Sequence, residues 1–166
     1  MRLSISSHPR SLWQDMNALF EGDLIRPLGL VTLNFAYAEA ELDELLADLL
    51  GTEPHQESSV QWPVGQKLAH AQSLVERLNA PELSELASTL MKGRVLIEQR
   101  NALVHGSIFA GGRVRSTRPG VPEQRVTPEQ LTELADSIFT WKEHIHVHRH
   151  KHVRIILALR RKACGT

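Results

Sequence analysis

Leu28-Gly29-Leu30-Val31-Thr32-Leu33-Asn34-Phe35-Ala36-Tyr37-Ala38-Glu39-Ala40-Glu41-Leu42-Asp43-Glu44-Leu45-Leu46-Ala47-Asp48-Leu49-Leu50 is the stretch that decides the fold. Val31, Phe35, Ala38, Leu42, Leu45 and Leu49 recur at steps of three and four, the period of one helix face. Leu46 and Leu50 widen that face, and Glu41, Asp43, Glu44 and Asp48 lie largely off it. Gly51 suits a C-cap and Pro54 forbids continuation, so a long amphipathic helix over 28–50 with a loop over 51–62 is expected. One such helix needs partners to cover its apolar face.

The partners follow downstream. A second helix begins near Pro63 or Gly65, with Leu68, Ala71, Leu74, Val75 and Leu78 on one side, and Asn79-Ala80-Pro81 breaks it. A third runs from about Pro81 to His105 on Leu83, Leu86, Leu90, Ile97, Leu103 and Val104, with Gly93 as a local weak point and Gly106 expected at positive φ beyond its end. Ser107-Ile108-Phe109-Ala110 and Arg113-Val114-Arg115-Ser116 flank Gly111-Gly112, a hairpin signal. Thr127-Pro128-Glu129-Gln130 is a helix start, with Thr127 as N-cap, Pro at N1 and Gln at N3. That last helix carries Leu131, Leu134, Ala135, Ile138, Phe139 and Trp141 or Lys142, and continues through a histidine-rich run to about Arg160. Upstream, Leu12, Trp13, Met16, Leu19 and Phe20 have the spacing of a short amphipathic helix. The expectation is an all-α protein: a four-helix up-and-down bundle over 24–160, with a short N-terminal helix in an extension over 1–23, a small β-hairpin between the third and fourth bundle helices, and a tail over 161–166.

The chain has 166 residues, with 19 Lys+Arg against 19 Asp+Glu, so a formal net charge of zero. The sum conceals two opposed halves. Residues 1–83 hold 5 basic and 12 acidic side chains, and residues 84–166 hold 14 basic and 7 acidic. Affinity for nucleic acid depends on local phosphate contacts, not on the whole-chain sum. The longest clean apolar run, Ile155 to Leu159, is far below the roughly 18 residues of a membrane span. The first residues lack an apolar run of signal-peptide length, so a cytoplasmic protein without membrane contact is expected. A single cysteine, Cys164, excludes an intrachain disulfide.

Gln99-Arg100-Asn101-Ala102-Leu103-Val104-His105-Gly106 carries the chemistry. Asn101 and His105 are four apart and share a helix face, and Arg100 lies about 100° away. An Arg, an Asn and a His therefore crowd the last turn of a core-building helix. Arginine presents a planar fork of donors to a phosphate, imidazole exchanges a proton near neutral pH, and an amide orients either. One histidine is too few for an acid-plus-base pair, and two copies of the chain would supply the second. The competing reading is that Arg100 forms a salt bridge with Glu39 or Glu98 and His105 merely ends a helix.

Arg100-Asn101-Ala102-Leu103-Val104-His105-Gly106 resembles the R-N-x-x-x-H signature of the HEPN superfamily, small helical-bundle proteins many of which are metal-independent endoribonucleases of toxin–antitoxin and phage-defence systems. Phe35-Ala36-Tyr37-Ala38-Glu39 resembles that family's aromatic-small-x-x-Glu pattern in the first long helix, and the resemblance spans about residues 28–150, with no counterpart for 1–23. It implies a homodimer with the site at its interface and no metal or other cofactor. Arg100 would hold the scissile phosphate, and His105 would act as general base or acid in attack by the ribose 2′-hydroxyl. Asn101 would position one of these groups, and Glu39 would lie nearby and orient Arg100. A nucleotidyltransferase-like antitoxin is a further expected partner.

Three more features bear on function. Arg113, Arg115 and Arg118 in and after the hairpin, with Arg125, read as an RNA-facing rim beside the motif. His144, His148 and His152 share a helix face and are the metal candidates, weak because no Cys or well-spaced carboxylate completes a ligand set. The acidic stretch Glu39 to Glu57 suits plain helix surface, the basic half of a second protomer, or an antitoxin's basic face. Two other functions compete with the nuclease: a non-catalytic module of the same fold that binds nucleotide, RNA or a partner, and a helical metal-binding regulator built on the histidines.

Overall fold

The computed structural model describes residues 24–51, 61–109, 112–115, 120 and 122–163. The amphipathic stretch at 12–20, Arg118 and the middle of the loop after Gly51 lie outside the described residues. Helix α1 spans Ile25–Leu50, α2 Val64–Leu78, α3 Ser84–Val104 and α4 Pro128–His148. A five-residue π-helical turn, Arg149–Val153, joins α4 to a continuing helix α5, Arg154–Ala163. The chain is thus predominantly helical, as its periodicity predicts, and α5 runs past the boundary expected at residue 160.

The local signals act where expected. Gly51 ends α1 at φ 72°, and its N–H donates to the Ala47 carbonyl oxygen at 2.9 Å. Asn79 ends α2 in the left-handed region. At the start of α4 the capping box closes in both directions: Gln130 N–H donates to Thr127 Oγ1, and Thr127 N–H donates to Gln130 Oε1 at 3.0 Å. Two backbone donors are thereby satisfied at the exposed helix start. Gly106 differs from expectation: positive φ among the described glycines is confined to Gly51, Gly112 and Gly120. Gly106 is needed for space instead. A Cβ there would lie 2.6 Å from the Ala102 carbonyl oxygen and 2.9 Å from Val114 Cγ1.

Between α3 and α4 the chain forms a three-stranded antiparallel sheet, β1 Ser107–Phe109, β2 Arg113–Arg115 and β3 Gln124–Arg125. Ile108 pairs with Val114, and Arg113 with Arg125. The hairpin was legible in the sequence, but the third strand was not, because two polar residues carry no alternation.

The helices pack in the cyclic order α1-α2-α3-α4, with the largest seam between α1 and α4. Val31, Phe35, Ala38, Leu42 and Leu45 of α1, Leu86 and Leu90 of α3, and Ile138 and Ile145 of α4 form the core, each at most 2% exposed. Burying such a side chain contributes about 1.5–3 kcal/mol.

Directions depart from the expected alternation. Asn34 Nδ2 donates to the Ala135 carbonyl oxygen and Arg154 Nε to Asp48 Oδ2, so α1 and α4–α5 run parallel. Trp141 Nε1 donates to the Thr89 carbonyl oxygen and His148 faces Glu85, so α3 runs antiparallel to α4. Lys67, early in α2, meets Glu39 and Asp43 near the middle of α1. At its far end the Leu78 carbonyl oxygen accepts from Arg160, whose neighbour Arg161 lies against Gly51 at the end of α1. Hence α2 is parallel to α1, and α2 starts about 15 Å back from the end of α1. The bundle is not a simple up-and-down one: only α3 opposes the other three.

Gly93 corrects a second expectation. A Cβ there would fall 2.2 Å from Trp141 Cζ2, so the glycine is the contact that lets the buried indole lie against α3.

The acidic helix α1 is paired with cations from both halves of the chain. Lys67 is 1% exposed and enclosed by Glu39 at 3.0 Å and Asp43 at 2.9 Å. Burial lowers its pKa, but the hydrogen bonds and charges of Asp43 and Glu39 outweigh that and hold it above the usual 10.5. Arg149, in the π turn, lies 2.8 Å from Glu41 and 2.9 Å from Glu44, and Arg154 meets Asp48 at 2.8 Å. The acidic side chains of α1 from Glu39 to Asp48 are therefore engaged by their own chain's cations. The π turn has a packing rationale: an α-helix drifts about 40° over four residues, and the wider turn keeps Arg149 and Val153, both buried, on the seam continued from Ile145.

Candidate nucleic-acid site at the end of the third helix

The last turn of α3 presents the motif. Its final hydrogen bond, His105 N–H to the Asn101 carbonyl oxygen at 3.1 Å, fixes these two residues one above the other. Gly106 then turns the chain directly into β1, so the sheet folds over the helix end and the motif borders it.

Arg100 is half-buried. Its guanidinium carbon stands 4.5 Å over the Phe35 ring, and Nη1 donates to Asn101 Oδ1 at 3.0 Å. Its Nε is buried without a hydrogen-bond partner. Among the described residues Arg100 has no carboxylate within ion-pair distance: neither Glu39 nor Glu98 takes it. Glu39 was expected to orient Arg100, but its carboxylate is bound to Lys67 instead. Phe35, one turn before Glu39, is the α1 residue that positions the guanidinium. The cation–π contact with an uncharged ring orients the charge without neutralising it.

His105 is exposed, and with Asn101 it lines a groove of about 710 Å³ between α3, the sheet and α4. The floor is apolar, from Ala102, Leu103, Val114, Val126, Leu131 and Leu134, and the polar walls include Glu98, Gln99, Gln124, Arg125, Gln130, Glu133 and Ser137. Arg100 stands outside this groove, so the structure joins Arg100 to Asn101, and Asn101 to His105, without bringing Arg100 and His105 into one cavity of a single chain.

Arg113 and Arg115 lie on the solvent side of β2, on either side of buried Val114, and both reach Glu123, at 3.4 and 3.5 Å. Arg125 stands opposite Arg113 in the sheet and lines the groove. The expected basic rim is therefore beside the motif, with Glu123 partly neutralising it; Arg118 falls outside the described residues.

The histidine run is engaged elsewhere. His146 Nδ1 is 3.1 Å from Glu41, His148 faces Glu85 at 3.7 Å, and the His148 and His152 rings lie 5.5 Å apart. Burial, then the charge of His152, lowers the His148 pKa below 6.5 despite Glu85. Among the described residues no three His, Cys, Asp or Glu side chains converge as a metal site, His144, His148 and His152 included. No helix among the described residues is long and apolar enough to cross a membrane.

Sequence reasoning missed Lys67 and Arg149 as buried cations, although both interrupt an apolar stripe: Lys67 is four residues before Ala71, and Arg149 is midway between Ile145 and Val153. It also missed Glu98, Gln124, Gln130 and Glu133, whose convergence depends on the α3–α4 register. Compared with known proteins, the chain matches no family model, no curated protein and no solved structure.

Proposed function

We propose that this chain is a metal-independent endoribonuclease of the HEPN type, acting as a homodimer in a toxin–antitoxin or phage-defence setting. The observation that carries the reading is Arg100: a half-buried guanidinium, oriented by Phe35 and Asn101, with no carboxylate partner among the described residues and with Nε unpartnered. Desolvated positive charge left without a counter-ion at a cleft edge is a receptor for an anion, and a phosphodiester matches its fork of donors. Arg100 binds the scissile phosphate and stabilises the charge that develops on it. His105 takes the proton of the ribose 2′-hydroxyl as that oxygen attacks phosphorus. The bond to the 5′-oxygen breaks, and a second histidine, from the other protomer, protonates the leaving oxygen. The products are a 2′,3′-cyclic phosphate and a 5′-hydroxyl.

Purified protein is expected to cleave RNA in excess EDTA, and Arg100→Ala and His105→Ala each lower the rate by about a hundredfold or more. Intact RNA with wild-type protein, or full activity in both variants, sinks the proposal. One observation favours a second reading, a non-catalytic RNA-binding module: Arg100 and His105 do not share a cavity within one chain. That module binds RNA without turnover and loses affinity on Arg100→Ala.

A further inference from the structure

The groove beside His105 is polar in an ordered way. Trp141 meets Thr89 across the α3–α4 seam. Nine residues further along α3 is Glu98, and eight residues back along α4 is Glu133, so these carboxylates stand at one level on antiparallel neighbours, and both line the groove. Neither is paired with a cation among the described residues. His105 is seven residues beyond Glu98, on the same face and about 10.5 Å along the helix. At that second end Arg125 adds positive charge.

Two amides at the second end are locked in orientation. Asn101 Oδ1 accepts from Arg100, and Gln130 Oε1 accepts from the Thr127 N–H of the capping box. Each amide oxygen is used, so each presents its NH2 as a donor. The groove therefore has an acceptor end, a donor and cation end, and an apolar floor between them.

We infer that this groove binds a single guanine nucleotide of RNA, with the base edge at Glu98 and Glu133 and its 3′-phosphate, the scissile group that Arg100 of the second protomer also holds, at Asn101, His105 and Arg125. Guanine is the base whose Watson–Crick edge carries two adjacent donors, N1–H and the exocyclic N2–H, which a carboxylate accepts together. Uracil offers one such donor, and adenine and cytosine offer an amino group beside a ring acceptor that a carboxylate repels. The apolar side chains Leu103, Val114 and Leu131 in the lining offer the base a nonpolar contact. This inference rests on the nuclease reading for its placing of the phosphate at His105, and it makes guanine the nucleotide on the 5′ side of the cleaved bond.

The test is fluorescence anisotropy with labelled hexanucleotides AAAGAA, AAAAAA, AAACAA and AAAUAA, each with a 2′-deoxy fourth nucleotide that blocks cleavage. The guanine oligonucleotide is expected to bind about tenfold or more tightly than the others. The double variant Glu98→Ala/Glu133→Ala, at exposed helix positions, removes that preference while binding AAAAAA at least as well as the wild type does. Unlabelled guanosine 3′-monophosphate competes better than the other three nucleoside 3′-monophosphates. Equal affinity for all four hexanucleotides, a preference that survives the double variant, or failure of every hexanucleotide to bind overturns the inference. Cleavage of RNA without guanine preference overturns it alone, whereas guanine-selective binding with no cleavage of unmodified RNA overturns the nuclease reading alone.

Discussion

Two regions of one bundle treat cations in opposite ways. Along the α1–α4 seam and at the start of α2, Arg149 and Lys67 are almost fully buried, Lys67 held by two carboxylates of α1 and Arg149 by three. At the end of α3, Arg100 is half-buried over an aromatic ring with no carboxylate at all among the described residues. A buried charge without a counter-charge is costly, and side chains that build a fold are accordingly paired. The unpaired one is where an outside anion gains most. The contrast separates cations paired within the fold from the one that the proposed function assigns to a phosphate.

The contrast can be broken most directly by stability measurements. Arg149→Ala leaves Glu44 without its nearest cation and Glu41 with His146 alone, and is expected to cost about 3 kcal/mol in urea unfolding. Arg100→Ala leaves no carboxylate without a cation and removes one cation–π interaction and the hydrogen bond to Asn101 Oδ1, so it changes stability by only about 1 kcal/mol. Equal losses of stability in the two variants would remove the distinction.

Gly93→Ala pushes a methyl into the Trp141 ring and is expected to cost about 1–3 kcal/mol. It also shifts the α3–α4 register on which the groove depends, so RNA binding falls more than in a surface variant. A Gly93→Ala protein as stable as the wild type would show that the indole does not need that space.

At the groove rim, replacing both Arg113 and Arg115 by alanine should weaken RNA binding uniformly across sequences. The slope of log affinity against log salt should shrink by about 0.7 for each phosphate that is no longer neutralised. An unchanged slope would take the hairpin out of the binding surface.

The smallest expected effect is on pH. Burial lowers the His148 pKa below its unfolded value, and burial with the Arg149 charge lowers that of His150. The unfolded chain then binds more protons, so stability contributed by the neutral imidazoles is present above pH 6.5 and declines as pH falls below it. His148→Asn should flatten the fall in melting temperature between pH 7 and pH 5.5. Lys67 has the opposite sign: its pKa is raised, so its contribution is complete below 10.5 and is lost only as strong alkali deprotonates it. A melting curve that steepens in His148→Asn would reverse this assignment.

Much of the fold was legible because it depends on short-range rules. The period of Val31, Phe35, Ala38, Leu42 and Leu45 marks the buried face of α1, and Thr127 and Gln130 announce the start of α4. The motif Arg100, Asn101, His105 was likewise legible as three polar groups in one last turn. What each side chain faces was less legible. Glu39 suits Arg100 by charge but is taken by Lys67, because α2 enters parallel to α1 at that level. Local patterning cannot give that direction, since a connection as long as 51–63 permits either sense.

By itself the amino-acid sequence determined roughly where the helices lie, most of the residues they bury, the capping box of α4, and which three residues crowd the end of α3, because periodicity and capping act within a turn or two. Only the tertiary structure decided that Gly93 is a seat for Trp141, that Arg149 and Arg154 pair with carboxylates of α1, that Arg100 is left without a carboxylate among the described residues, and that Glu98 and Glu133 face one groove. Each of these joins residues far apart in the chain, and such pairings follow from the packing of helices against one another, which no local pattern encodes.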